Sequence, residues 1–364
     1  MAKKVLVIAE AGVNHNGNET NAIALVDAAM AAGVDIVKFQ TFKAENLVTS
    51  TAKQASYQSQ NIGKVESQLE MLQRLELSFS AHKRIKNYCD SKGIEYLSTA
   101  FDSESLTFLV DDLKLTLLKI PSGELTNTPF VLEHALTGCK LILSTGMATL
   151  KEVKSALQVI AYGLLKVDGK FATTEPNENA FRQAFNAERG QQLLSEYVTL
   201  LHCTTEYPTA PENVNIRAMD TLKESFSLAV GYSDHSLGIT IPIAAVARGA
   251  QVIEKHFTLD RGLPGPDHKA SLEPQELAAM VKAIRDVESA FGTGLKQPTV
   301  TEQANSIAAR KSLVAARTIE KGELFSDETI AIKRPGNGMS PSQYWALLGQ
   351  PSSKRYQAGD ILAE

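Results

Sequence analysis

The chain has 364 residues, of which 43% are hydrophobic and 21% charged, with a formal net charge of -4. That size and balance suit one ~250-residue α/β barrel plus a small module, and the lack of a basic excess excludes duplex nucleic acid as a principal partner. No apolar run nears the ~18 residues of a membrane span, and three scattered cysteines, Cys89, Cys139 and Cys203, offer no disulfide framework and suit a reducing cytoplasm.

In chain order, Val5–Ala9 is too short for a signal segment and reads as a first strand. Further short apolar runs follow at Ile36–Phe39, Glu95–Ser98, Leu117–Ile120, Leu141–Leu143, Val198–Leu201, Leu228–Gly231 and Val252–Glu254. Between the first two, Asn21–Ala32 carries apolar residues at helical spacing and stops at Gly33. Helical spacing returns at Ser80–Lys92, Ser105–Leu113, Leu150–Leu165, Ala218–Phe226 and Ile239–Gly249. Eight buried strands alternating with helices predict a parallel (β/α)8 barrel over residues 1–292. Lys166–Tyr197 is long for a connection and reads as an insertion on the barrel's exterior, helical over Phe181–Tyr197. Residues 293–305 read as a polar linker, and 306–364, with alternating runs and glycine-marked turns, as a small β-rich domain with one short helix at Ser342–Leu348.

Chemistry in such barrels sits at the C-terminal strand ends. Here those ends carry Glu10, Lys38 and Gln40, Thr99, Lys119 and Ser122, Ser144, His202 and Tyr207, Ser233 and His235, then Glu254 and His256. Strand parity puts Lys38 with Gln40 on one face and Val37 with Phe39 on the other, and likewise Glu254 with His256 opposite Ile253 and Lys255. The densest stretch, Gly231–Lys269, gathers Asp234, His235, Glu254, His256, Asp267 and His268. His235 and His256, on neighbouring strand ends, are candidate ligands of a divalent metal. Two imidazoles without a nearby cysteine suit an open site for Mn2+ or Mg2+ rather than closed zinc. Glu254 and Asp267 are placed to bind water around it or sugar hydroxyls.

Lys38 and Lys119 cannot face a packed interior without a partner. With hydroxyls from Thr99, Ser122, Ser144 and Ser233 they fit a ligand bearing phosphate and carboxylate. The alternative is a pair of structural ion pairs with Glu10 and Glu124. Arg334, in the turn RPGNG, and the aromatic Tyr207 are candidate contacts to a polar ligand.

These residues lie within motifs that together resemble the sialic acid (nonulosonic acid) synthases. They are IAEAGVNHNG at 8–17, VKFQTFKA at 37–44, ESQLEML at 66–72, KIPSGE at 119–124, LSTGMAT at 143–149, EYPT at 206–209, GYSDHS at 231–236, IEKHFTLD at 253–260 and GPDHKAS at 265–271. KRPGNGMSP at 333–341 is similar to that family's C-terminal antifreeze-like (SAF) domain. Thr204 and Thr205 stand where some relatives carry Asn, and STAFD replaces the commoner STPFD.

The resemblance implies condensation of phosphoenolpyruvate with an N-acetylated mannosamine-type sugar, with phosphate release. The first expected product is N-acetylneuraminate from N-acetylmannosamine. The alternative is N,N'-diacetyllegionaminate from 2,4-diacetamido-2,4,6-trideoxymannose. It also implies Mn2+, with Mg2+ or Co2+ as substitutes, on His235 and His256, and phosphoenolpyruvate contacts from Lys38, Thr99, Lys119, Ser122, Ser144 and Ser233. Gln40, Tyr207, Asp267 and Arg334 become the sugar contacts, and Glu10, Glu254 and Asp267 the candidate catalytic carboxylates, Glu10 as acid/base. Family members are domain-swapped homodimers, so Arg334 is expected to act on the partner's barrel. From another class, a non-catalytic glycan- or ice-binding surface would not need this Lys, His and Glu set.

Overall fold

Eight short β-strands close into one parallel barrel because each alternates inward side chains with outward, mostly apolar ones. The computed structural model describes residues 4–64, 66–170 and 173–363. The strands are β1 (Leu6–Gly12), β2 (Ile36–Thr41), β3 (Glu95–Ala100), β4 (Leu117–Ile120), β5 (Lys140–Ser144), β6 (Val198–Cys203), β7 (Ala229–Asp234) and β8 (Val252–His256), paired in sequence order with β8 returning to β1. The (β/α)8 expectation holds. Most strands run further at their C-terminal ends than the apolar runs do. Polar side chains that face the barrel interior leave the backbone ladder intact, whereas a hydropathy pattern stops at the first of them.

The interior is layered. Ile8, Ile36, Leu97, Ile142, Leu201 and Val252 fill it with an apolar plug, against which Leu6 and Leu117 pack. Two residues further along the same strands, on the same face, come Glu10, Lys38, Thr99, Ser144, Cys203 and Glu254, with Lys119 two beyond Leu117. Register keeps this polar layer level: Glu10 lies opposite Lys38 on β2 and His256 on β8, Thr99 opposite Lys119, and Ser233 opposite Glu254. The outward faces join the helices in one continuous core that includes Val37, Phe39, Tyr232 and Ile253.

The helix Glu19–Ala32 begins under an Asn18 side-chain cap and ends at Gly33, whose φ of 76° is the left-handed conformation that the stop requires. The helices Thr128–Leu136 and Pro274–Ala290, and the three short helices Ala44–Leu47, Ser56–Ile62 and Gln68–Leu75 between β2 and β3, were not resolved by the sequence periodicity. The stretch expected to be an exterior insertion forms two helices, Glu178–Asn186 and Glu188–Tyr197, rather than one. Their Ala180, Ala184, Leu193 and Leu194 belong to the outer core of the barrel.

The chain divides into two compact units, Met1–Phe291 and Gly292–Glu364. Where a structureless linker was expected over 293–305, a helix runs from Val300 to Ala309. Thr299 and Glu302 form its capping box, which satisfies the first turn even though the helix buries none of its residues. In the second unit β9 (Ser312–Ala315) pairs antiparallel with β10 (Ile330–Lys333), over a core of Leu313, Ala315, Ile319, Phe325, Ile330, Tyr356 and Leu362. The expected short helix there is a 3-10 turn, Pro341–Gln343, leading into Tyr344–Leu347. Among the described residues no helix is long and apolar enough to cross a membrane.

Candidate active site

A cavity of about 340 Å3 opens at the C-terminal ends of the strands. The residues expected on the first unit to bind substrate or metal or to act in catalysis line it: Glu10, Lys38, Gln40, Thr99, Lys119, Ser122, Ser144, Tyr207, Ser233, His235, Glu254, His256 and Asp267. Arg334 belongs to the second unit, where its Nε donates to the Ala309 carbonyl at 3.0 Å and its side chain is exposed.

The floor is a charge lattice. Lys38 Nζ lies 2.6 Å from Glu10 Oε2 and 3.6 Å from Glu254 Oε2, and donates to Thr99 Oγ1 at 3.1 Å. Lys119 Nζ stands 3.4 Å from Glu254 Oε1, which also accepts from Ser233 Oγ at 2.9 Å. Gln40 Nε2 donates to Glu10 Oε1 at 3.3 Å. The acid beside Lys119 is therefore Glu254 and not Glu124, whose carboxylate accepts from Asn127 instead. All four groups are buried, two lysines set against two glutamates.

The same burial drives the two carboxyls apart. Desolvation pushes Glu10 up, Lys38 only partly offsets it, and the negative Glu254 adds to it, leaving Glu10 at about 7. Desolvation also pushes Glu254 up, but Lys119 and Lys38 together outweigh it and hold Glu254 at about 2. At neutral pH the floor thus combines a fixed carboxylate with one that exchanges a proton, the separation that acid/base chemistry uses. Burial likewise lowers Lys119, while in Lys38 its effect is overcome by Glu10 and Glu254, which raise it.

The hydroxyls sit around this floor. Ser122 Oγ accepts the Gly146 N–H at 3.0 Å and lies 3.1 Å from Cys203 Sγ. A Cβ on Gly146 would stand 2.8 Å from that Ser122 oxygen, so only glycine lets the backbone donor approach. Ser144 Oγ is buried and has no hydrogen-bond partner, a polar atom left for a ligand.

Above them stand the histidines, with ring centroids 5.5 Å apart. The Tyr207 ring lies 4.1 Å from the His235 ring and 5.8 Å from that of His256. His235 Nδ1 bonds the Thr204 carbonyl, which must accept, so the proton sits on Nδ1 and the Nε2 lone pair is left over. Burial lowers His235 to about 4 and His256 well below the ordinary range, so both rings are neutral at pH 7. His256 Nδ1 is buried and unpaired. Two neutral imidazoles with uncommitted nitrogens, one fixed by a backbone carbonyl, fit a divalent ion. Among the described residues no group of three or more His, Cys, Asp or Glu side chains is arranged to hold a metal, so the two imidazole nitrogens are what the chain would offer one. Asp267 is buried at the cavity's edge, and desolvation raises it to about 6.

Three expected polar positions face elsewhere. Asp234 points outward from β7, where its Oδ2 lies 2.5 Å from Lys255 Nζ and its Oδ1 accepts from Tyr232 and Ser236. His202 also points outward, its Nε2 2.7 Å from the Val214 carbonyl. His268 bonds Thr258 Oγ1 and Asn16 Oδ1. Unforeseen in the sequence were Cys203 and an apolar flank made by the segment that follows β2; Thr205, which stands where some relatives carry Asn, also lines the cavity.

Residues 25–296 match the family model described as NeuB family, and residues 310–364 match a SAF domain. The chain is 46% identical over 362 residues to the N,N'-diacetyllegionaminic acid synthase of Campylobacter jejuni, with 100% of both chains covered. It is 43% identical to the N,N'-diacetyllegionaminic acid synthase of Legionella pneumophila, covering 98% of this chain and 92% of that one. Among solved structures, the N-acetylneuraminic acid (sialic acid) synthetase of Leptospira borgpetersenii superposes with a TM-score of 0.65 at 29% identity, covering 83% of this chain and 90% of that one. The chain belongs to the NeuB family. With its barrel and C-terminal SAF domain it falls in the nonulosonic acid synthase class.

Proposed function

We propose that the protein condenses phosphoenolpyruvate with 2,4-diacetamido-2,4,6-trideoxymannose to give N,N'-diacetyllegionaminate and phosphate. The full-length likeness to two synthases of that product carries the choice of sugar, and it favours the second of the two products expected from the sequence over N-acetylneuraminate. The site supports the chemistry.

Lys38 and Lys119 neutralise the phosphate and carboxylate of phosphoenolpyruvate, with Thr99, Ser122, Ser144 and Ser233 supplying hydroxyl contacts and Gly146 a backbone donor nearby. Gln40, Tyr207 and Asp267 hold the sugar in its open-chain form. Carbon 3 of phosphoenolpyruvate bonds to the aldehyde carbon, and the aldehyde oxygen takes a proton. Glu10, at about 7, is protonated often enough to deliver it. Water then adds at the former carbon 2, and its proton goes to the Glu10 carboxylate. Collapse of the resulting tetrahedral carbon breaks the C–O bond to phosphate and forms the ketone, the hydroxyl proton leaving with the phosphate. Glu254 stays ionised throughout and offsets positive charge at carbon 2. His235 and His256 would hold a divalent ion, Mn2+ with Mg2+ or Co2+ as substitutes, which when bound supplies electrophilic polarisation at a sugar oxygen.

The test is phosphate release from phosphoenolpyruvate with divalent metal, offered the diacetamido-trideoxy sugar and N-acetylmannosamine in parallel. Faster turnover of the former supports the proposal, and no release with either sugar refutes it.

A further inference from the structure

The cavity has two unlike sides. Its floor and the flank from β6 to β8 are polar and charged, whereas the flank over β1 to β3 is apolar. Val13, Phe42, Met71 and Leu75 form a buried cluster there, and Leu47, Leu72 and Phe101 pack on it half-buried. All of these except Val13 and Phe101 come from residues 42–75, the segment after β2.

Several contacts tie the described parts of this segment together and to its neighbours. Ser67 and Glu70 form a reciprocal cap on the helix Gln68–Leu75, and Gln54 Nε2 lies 3.5 Å from Met71 Sδ. Asn61 Nδ2 donates to the Pro266 carbonyl at 2.7 Å, which ties the segment to the loop carrying Asp267. Glu66 receives both guanidinium nitrogens of Arg74 at 2.5 and 2.6 Å.

An apolar flank is wasted on a ligand that carries a hydroxyl on every distal carbon, because each hydroxyl set against it loses water and gains no partner. It suits a ligand whose distal groups are methyls. The reacting carbons are bound where the strands end, at Glu10, Lys38 and Glu254. Leu47 and Leu72, on short helices, and Phe101, just past the end of β3, lie beyond those ends, on the side where the part of the sugar away from the aldehyde would sit. Gln68, also on this flank, adds an amide that can pair with an acetamido group.

We propose that residues 42–64 and 66–75 select the sugar, with Leu47 and Leu72 seating methyl groups at its distal end. The inference rests on the synthase reading above and assigns the discrimination within it to named residues. The C6 methyl and the second acetamido methyl are what the trideoxy sugar offers and N-acetylmannosamine lacks.

The experiment compares kcat/KM for the two sugars, by phosphate release from phosphoenolpyruvate, in the full-length protein and in Leu47→Gln, Leu72→Gln and Leu72→Met. Both leucines are half-buried, so the changes do not hollow the core. The wild type should favour the trideoxy sugar by about 10- to 100-fold, the range that an apolar wall achieves against an added hydroxyl. Each glutamine variant should narrow that ratio about tenfold, and Leu72→Met should keep it. A wild-type preference that neither glutamine changes overturns the inference and leaves the proposed function standing. Equal wild-type turnover of both sugars overturns the inference and the choice of sugar but not the class. No release with either sugar overturns the proposed function itself.

Discussion

Glu10 and Glu254 lean on one cation: Lys38 Nζ is 2.6 Å from the first and 3.6 Å from the second. Only Glu254 has a second lysine, and that asymmetry is why one carboxyl is held at about 2 while the other rises to about 7. Glu10→Gln keeps the shape and the Gln40 contact but cannot exchange a proton. Phosphate release should fall by about 10²–10⁴-fold, the usual worth of a positioned acid/base, while phosphoenolpyruvate still binds by calorimetry. A variant retaining near-normal turnover would remove Glu10 from proton transfer.

Lys255 and Asp234 make a second buried ion pair, on the outer face of β7 and β8, where both side chains are fully enclosed. Lys255→Met leaves the Asp234 carboxylate without a cation and should cost about 3–5 kcal/mol of stability. The double change Asp234→Asn with Lys255→Met should recover most of it, because no charge is then left buried. Urea unfolding of the three proteins decides it. Additive losses in the double variant would mean that the pair is not coupled.

This pair also shows what the sequence could reveal. Parity along β7 and β8 separates Ser233 and Glu254, which face in, from Asp234 and Lys255, which face out. An acidic residue beside His235 still looks like a site residue until the barrel's inside is known. The polar layer was legible because a charged residue two positions beyond an inward Ile or Leu, as at Ile36 and Lys38, has nowhere else to point. The apolar flank was not. Phe42, Met71 and Leu75 carry no chemical signature, and only the fold of the β2–β3 connection brings them to the cavity. The capping box Thr299–Glu302 was readable in principle, but a helix that buries nothing has no apolar stripe to announce it.

Two histidines outside the site link stability to pH. His82 is buried against Tyr96 and Thr41, and desolvation lowers it to about 3; His134 is buried against the Phe130 carbonyl and lowered to about 4. Unfolded, each takes a proton near 6.5. Between that value and the folded one the unfolded chain binds more protons, so stability is full above about pH 6.5 and falls as pH drops toward 4. His82→Gln should flatten the slope of stability against pH from 7 to 5 by up to about 1.4 kcal/mol per unit. Urea midpoints across that range measure it, and an unchanged slope would show that His82 titrates normally.

Arg334 is exposed, and among the described residues its head is anchored through Nε, to Ala309. If the expected homodimer shares its sites, Arg334→Ala and a barrel-inactive Glu10→Gln chain are each poor alone but complement when mixed. One dimer site then holds an intact barrel and an intact arginine. Random mixing makes at most about half of the dimers mixed, each with one intact site of its two, so about a quarter of the wild-type rate should return. No recovery would place Arg334 outside a shared site.

The histidine pair makes the last demand. His235 is orientated by the Thr204 carbonyl and His256 keeps a buried, unpaired nitrogen, so removing either ring leaves one nitrogen where the geometry provides two. A protein stripped by chelator should lose phosphate release and regain it with Mn2+. His256→Ala should weaken Mn2+ binding, followed by paramagnetic resonance, by more than the about 10–100-fold that loss of a supporting contact costs. His256→Gln keeps a polar atom and should fall between the two. Full turnover in chelator, or unchanged Mn2+ binding in both variants, would mean that the two rings serve the sugar directly.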